Sequence, residues 1–303
     1  MAVKSNSTNT SRGLISKVLG GKAVETVSTK NTGGGSNQSF FIDNVAVLVL
    51  AGGGSGKGNN YENAAGGGGA GGYTISSPAT VEIGDVMIIT VGGGGAGGPG
   101  SDGTASSAVG AGFNVSASGG LRGTGLYGPN NETGVGGASG PPQSNAGGPA
   151  PGSNGCGGGG GGMGASTPAP PWNDAARGGE GYDFQPWLNT PGSLLFGGGG
   201  GGGMRRGVEP PTNSAGGSGG GGGGGKSPDA GPGNDASAGS GGTNTGSGGG
   251  GHPSQISGSG ASGRVYVRIP SPITTRGTTG TVDITTRGAF TYYDFTSSGT
   301  ITF

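Results

Sequence analysis

The chain has 303 residues, of which 86 are Gly and 19 are Pro, so about a third of it is unsuited to ordinary helix or strand interiors. Leu, Ile, Val and Phe together make up only about 15%, too little for an extensive side-chain core, which argues against a conventional enzyme fold. Fifteen basic and fifteen acidic residues cancel, which argues against a charge-driven disordered chain and against a nucleic-acid binder working by phosphate neutralisation. Order that does not rest mainly on side chains is the expectation.

The remaining bounds are short. One Cys, Cys156, forbids an internal disulfide framework, and one His, His252, forbids a His-cluster metal site, so neither metal nor cofactor is expected. No apolar run approaches the roughly 18 residues that would span a bilayer. Residues 1–10 are rich in Ser, Asn and Thr without an apolar h-region, so the chain is expected to be made in a cytoplasm.

In chain order, residues 1–44 come first, with Lys4, Arg12, Lys17, Lys22 and Lys30 against Glu25 and Asp43. Leu14, Ile15, Val18 and Leu19 have helical spacing, but Gly13 and Gly20 confine them to about two turns. This segment reads either as a solvated tail or as an anchor that orders on a partner.

A β frame follows over residues 45–269. Residues 45–50 are a continuous apolar run, predicting a strand buried on both faces. Residues 73–75, 80–83 and 86–91 read as further strands, the last two joined as a hairpin by Gly84 and Asp85. Residues 264–269 alternate strictly, sending Val265, Val267 and Ile269 one way and Arg264, Tyr266 and Arg268 the other.

Between these strands lie glycine runs at 66–69, 92–95, 157–162, 197–203, 219–225 and 248–251. Gly-rich sequence usually means flexible linker, but linkers do not normally alternate with segments rich in Pro, Trp and Arg. The other reading is a stack of polyglycine II helices with three residues per turn, seven glycines spanning about 22 Å. With every face bare, such a helix can be ringed by neighbours at backbone distance, pairing amides and carbonyls between helices. Ordering Gly costs about 0.5–1 kcal/mol more per residue than ordering Ala. Hydrogen bonds worth about 0.5–1.5 kcal/mol net can offset this only in a nearly complete lattice.

Residues 270–303 contain an eleven-residue repeat, ITTRGTTGTVD then ITTRGAFTYYD, predicting a small C-terminal β element with turns at Arg-Gly. The fold class expected is therefore irregular and β: a polyglycine II helix sandwich framed by short strands, divided at 1–44, 45–269 and 270–303.

Chemistry-bearing motifs are few. Gly220, Gly225, Lys226 and Ser227 fit the phosphate-loop pattern, but a glycine run precedes them and Pro228 and Pro232 follow, so no strand and helix frame a phosphate. Cys156 has no basic neighbour in sequence and reads as a small buried residue, and His252 as a loop residue. The side chains suited to binding sit in two connecting segments. Residues 167–195 hold Trp172, Arg177, Tyr182, Phe184 and Trp187 among five prolines, and residues 204–213 hold Arg205 and Arg206. They are either a recognition surface or the plugs that close the ends of the glycine stack.

The order VLVLAGGG, GGGGAGGY, VEIGDVMIITVGGGGAGG, long glycine runs and then GRVYVRI resembles the glycine-rich domain of bacteriophage tail-fibre and tail-tip adhesins. The resemblance covers about residues 45–269. It implies a glycine-helix scaffold whose variable loops contact a bacterial surface protein or polysaccharide, with the N-terminal part docked on other virion proteins. The expectation is a non-enzymatic virion structural protein, made in the host cytoplasm and placed at the tail rather than the capsid. It would insert in no membrane and bind no nucleic acid, and its copies could associate with one another. A capsid decoration or head-fibre protein, and a secreted glycine-rich module, are the alternatives.

Overall fold

The computed structural model describes residues 13–14, 27–30, 39–58, 65–125, 135–149, 157–167, 177–203, 215–225, 237–252 and 256–303. Its first strands are β1 (Gly13–Leu14), β2 (Val27–Lys30), β3 (Ser39–Leu50), β4 (Tyr73–Ile75), β5 (Ala79–Glu82), β6 (Val86–Thr90), β7 (Ser106–Gly110) and β8 (Phe113–Ala117). Then come β9 (Tyr182–Asp183), the single-turn helix α1 (Gln185–Leu188), β10 (Leu195–Phe196) and β11 (Arg264–Pro270). The chain closes with β12 (Gly277–Thr279), β13 (Val282–Arg287), β14 (Phe290–Phe295) and β15 (Gly299–Thr302).

Two sheets form a sandwich. The first runs β1-β2-β3-β11-β14-β13, with β4 and β5 also paired to β3; the second runs β12-β15-β6-β7-β8. The alternation of β11 decides what each face meets. Val265, Val267 and Ile269 point between the sheets, where they join Val45, Val47 and Val49 of β3, Met87 and Ile89 of β6, and Phe295, Ile301 and Phe303. Leu48 and Leu50 point to the opposite face, into a second core with Tyr266, Tyr292, Phe184, Leu188 and Phe196. Residues 45–50 are thus buried on both faces, as their unbroken apolar run predicts. The strand starts earlier than that run. A register shift against β5 between Ile42 and Val45, with Asn44 at φ 61°, lets it cross from one set of partners to the next.

Three local readings are corrected. Residues 80–83 and 86–91 are not a hairpin: β5 pairs with β3 and β6 with β15 and β7, so the turn at Gly84 carries the chain from one sheet to the other. Gly84 takes φ 103° and Asp85 N–H bonds Glu82 O, so the tight turn is real, but its strands diverge. Of the residues with helical spacing only Leu14 is described, and it pairs with β2; Ile15, Val18 and Leu19 lie outside the described residues. The two repeat copies do not share a structure either. Arg287 and Gly288 do close the β13–β14 turn, whereas Gly277 opens strand β12. The repeat region supplies strands to both sheets, β14 beside β11 and β15 beside β6.

The glycine segments between the frame strands form a lattice of three-residue periodicity. Along 66–72, the N–H groups of Gly66, Gly69 and Gly72 bond Thr124, Leu121 and Ser118; those of Gly67 and Ala70 bond Gly158 and Gly161; those of Gly68 and Gly71 bond Gly249 and Gly246. All seven bonds measure between 2.7 and 3.0 Å. Donors that rotate through three directions with every third residue in line are what three residues per turn requires. The carbonyls of the same helix, from Ala65 onward, accept from three further directions: Lys57, Gly54 and Ala51; Gly137 and Gly140; Gly200 and Gly203. One glycine helix is therefore ringed by six others, and its buried backbone is satisfied by its neighbours instead of by itself.

The lattice reaches beyond the uninterrupted runs. Residues 118–124, with Leu121 and Arg122, and residues 256–263, with three serines and an alanine among their last seven, are also members. At the rim of the stack a side chain can point outward, so Gly is required there only on the faces that meet a neighbour.

Candidate functional site

The course of the glycine helices gives the molecule two ends. Residues 51, 72, 92, 118 and 263 adjoin the sandwich through β3, β4, β6, β8 and β11. At the opposite end Gly58 bridges His252 and Ala65 bridges Gly203. The same end carries the bonds from Lys57 to Gly66, Gly66 to Thr124, Thr124 to Val135, Gly157 to Gly203 and Gly225 to Gly251. Gly58, Ala65, Gly203, Gly225 and His252, each the last described residue on its side of a gap, lie there, whereas Thr167 ends part-way along the stack, bonded to Ala146 and Gly160. The turns on the sandwich side, by contrast, are short apart from residues 182–196.

That long sandwich-side segment is the second feature. Strands β9 and β10 pair, closing the segment on itself. Asp183 holds its interior: Oδ1 accepts from Gln185 N–H and Leu194 N–H, each at 2.9 Å, and Oδ2 accepts from the Ser193 hydroxyl at 2.8 Å. These bonds, that from Gln185 first, keep the carboxyl below its ordinary range. Helix α1 then lies against the outer face of the first sheet, ending at Asn189 in left-handed conformation. Its last carbonyls meet cationic and phenolic donors from that sheet. Arg268 and the Tyr292 hydroxyl donate to Trp187 O at 3.5 and 3.1 Å, and Arg287 donates to Leu188 O at 3.2 Å.

Aromatic rings complete the docking. The Arg268 guanidinium sits between Trp187 and Phe290, 4.8 and 4.7 Å from their centroids. Phe184 is buried edge-on to Tyr73 at 4.8 Å and beside Tyr182 at 4.9 Å. Burial, and the hydroxyl of Tyr182 nearby, push the Tyr73 phenol up from its usual value. Deeper in, Arg264 donates to the Tyr266 hydroxyl at 2.9 Å and lies 3.4 Å from Asp294. Burial raises the Asp294 carboxyl, an effect the Arg264 charge opposes, and burial with the Asp294 charge pushes Tyr266 up to about 12. Nothing in this cluster pairs a nucleophile with a base; its geometry fixes a loop to a sheet.

The candidate residues read from sequence therefore fall at two places. Phe184 is core. Trp187 is half-buried over Arg268, and Tyr182 is exposed beside Tyr73 at 4.7 Å, all on the sandwich side. Arg177 is exposed and pairs with Glu180 at 2.8 Å, while the Ser218 hydroxyl and amide bond the other Glu180 oxygen. Trp172, Arg205 and Arg206 lie outside the described residues. Cys156, Lys226 and Ser227 also lie outside the described residues.

Residues 220–225 belong to the lattice, with the amides of Gly221, Gly222 and Gly225 donated to Gly217, Gly248 and Gly251, so they cradle no phosphate. His252, read as a loop residue, is fully buried at the far end of the stack, its N–H donated to Lys57 O. Among the described residues no group of three or more His, Cys, Asp or Glu is placed to hold a metal.

A family model described as a glycine-rich domain matches residues 37–270, from just before β3 to the end of β11. The chain belongs to the glycine-rich domain family. The matched span takes in the whole lattice and most of the frame, while β12 to β15 fall beyond it. No curated protein matches the chain, and no solved structure does either. Sequence reasoning missed the docking role of Arg268, inside the glycine-rich domain, and of Arg287 and Tyr292, beyond it. The alternation of β11 places Arg268 on an outward face, but only the fold brings residues 182–196 over it.

Proposed function

We propose that this glycine-rich domain protein is a virion structural component of a bacteriophage tail fibre or tail tip, and that its far-end connections contact the host cell surface. The observation that carries this reading is the polarity of the molecule. A stack with little but backbone on its faces has one end where Gly58, Ala65, Gly203, Gly225 and His252 border connecting segments, while the sandwich at the other receives both the first strands and the last. The segments outside the described residues hold Tyr61, Tyr127, Trp172, Arg205, Arg206 and Lys226, side chains the lattice itself excludes. Trp faces stack on sugars and Arg bonds anionic groups in pairs, so a polysaccharide or an outer-membrane protein fits as target. The sandwich end, with residues 1–38 leading into β3, is the docking side for other virion proteins.

The test separates the two ends. Replacing Trp172, Arg205 and Arg206 together by Ala should reduce particle adsorption to host cells and leave the melting temperature in place. Trp187→Ala should do the opposite, lowering the melting temperature because its ring packs on Arg268. Unchanged adsorption by the triple variant would remove the recognition role, and a head location on labelled particles would then favour a capsid decoration protein.

A further inference from the structure

The second sheet has an uncovered outer face. Strand β6 is the middle of its five strands and alternates Met87 and Ile89 inward with Val86, Ile88 and Thr90 outward. Val86 is 48% exposed, Ile88 58% and, directly across from Ile88 on β7, Val109 44%. The flanking outward positions are Thr300, Thr302 and Asn114, placed by their pairing with Ile88, Val86 and Val109. No outward position on the five strands carries a charge. Ile88, the middle residue of the middle strand, stands at the centre of the face.

We propose that this face is the contact through which two copies of the chain associate, Ile88 of one copy meeting Ile88 of the other. Three observations favour a second copy as occupant. In a two-fold contact only a group on the axis meets its own copy, so a charge at the centre would face a like charge; this face has none there, and its β6–β12 end carries one of each sign, Asp85 and Arg276. The chain's zero net charge adds no long-range repulsion. The chain's own N-terminal residues are poor cover, since β1 and β2 pair on the other sheet, and of residues 1–12 only Met1, Ala2 and Val3 are apolar. Five strands about 4.8 Å apart and about 17 Å long offer about 400 Å² per copy, below the usual size of a tight interface. The association is accordingly weak and concentration-dependent, and grows strong only where an assembly holds copies side by side.

Sedimentation of the full chain, from micromolar concentration to its solubility limit, tests this. The parent should pass from monomer to dimer. Ile88→Lys and Ile88→Glu should each stay monomeric, raising the apparent Kd by at least about tenfold while melting as the parent does. An equimolar mixture of the two should dimerise again, which a folding defect in either variant could not produce. A parent that is monomeric at every concentration, or a dimer that persists in both variants, overturns the proposal; the first outcome would leave the face to a different protein. Neither result bears on adsorption, so the proposal stands or falls independently of the recognition reading.

Discussion

At the scale of single residues, what a side chain added at a glycine costs depends on what surrounds that glycine. A Cβ on Gly200 would overlap the carbonyl oxygen of Gly249, and both are lattice backbone that cannot rotate away. Gly200→Val should therefore abolish cooperative folding, seen as loss of the thermal transition. A Cβ on Gly192 meets nothing within 4 Å. Gly192→Ala should change stability by no more than about 0.5 kcal/mol. If Gly200→Val melts like the parent, the lattice is not the source of order. The carboxylates at this scale set an acid limit. Asp183 and Glu180 are held below their ordinary values, so their bonds stabilise the fold above the unfolded carboxyl range near about pH 4 and are lost as pH falls through the folded values. Asp294 is raised and has the opposite sign, gaining relative stability as pH falls through its folded value. Asp183→Asn should flatten the decline of melting temperature below about pH 4, and an unchanged profile would deny that carboxylate its holding role.

At the scale of elements, the C-terminal strands decide whether the domain stands. The family match ends at residue 270, yet Tyr292, Tyr293, Phe295, Ile301 and Phe303 are buried in the two cores. Removing one large buried aromatic costs about 3–5 kcal/mol, and a domain's whole stability is about 5–15 kcal/mol. A chain ending at Pro270 also leaves the β11 and β6 edges unpaired. It should be insoluble or unfolded, and a soluble product with a parental melting curve would show the strands to be accessory. The α1 segment depends on one bracketed cation. Arg268→Ala should destabilise it by about 1–3 kcal/mol through lost ring contacts and an uncapped helix end. Amide exchange at residues 184–188 should report this ahead of the rest of the fold.

At the scale of the molecule, sandwich and glycine stack share their strands end to end, so they should melt as one unit. The amides of Gly66 to Gly72 all bond other helices and should exchange only through global unfolding, whereas linker amides would exchange at once. Deleting residues 1–30 removes β1 and β2, but β3 keeps β11, β4 and β5, so the remainder should stay folded. The same deletion should abolish entry into particles if the sandwich end is the docking side. Normal incorporation would move the anchor to another surface.

The runs of glycine, by themselves, determined that the interior would be backbone packed on backbone, because a residue without Cβ is the only one that can be ringed on every side. The strict alternation of β11 and the unbroken apolar run of β3 likewise determined which side chains face the core and that one strand is buried on both faces. Those properties are local, written in each residue's own side chain. Only the tertiary structure decided the partners: that residues as varied as Leu121 and Ser259 join the lattice at its rim, that β5 and β6 diverge, and that two like copies of a repeat enter different sheets. The candidate binding residues separate for the same reason. A segment of 29 residues with both Trp172 and Trp187 looks continuous in sequence, but the glycine helix at 177–181 carries the chain toward the sandwich between them. Hydrogen bonds between glycine helices carry no side-chain signature, so which helix lies beside which is fixed by the closure of the whole stack.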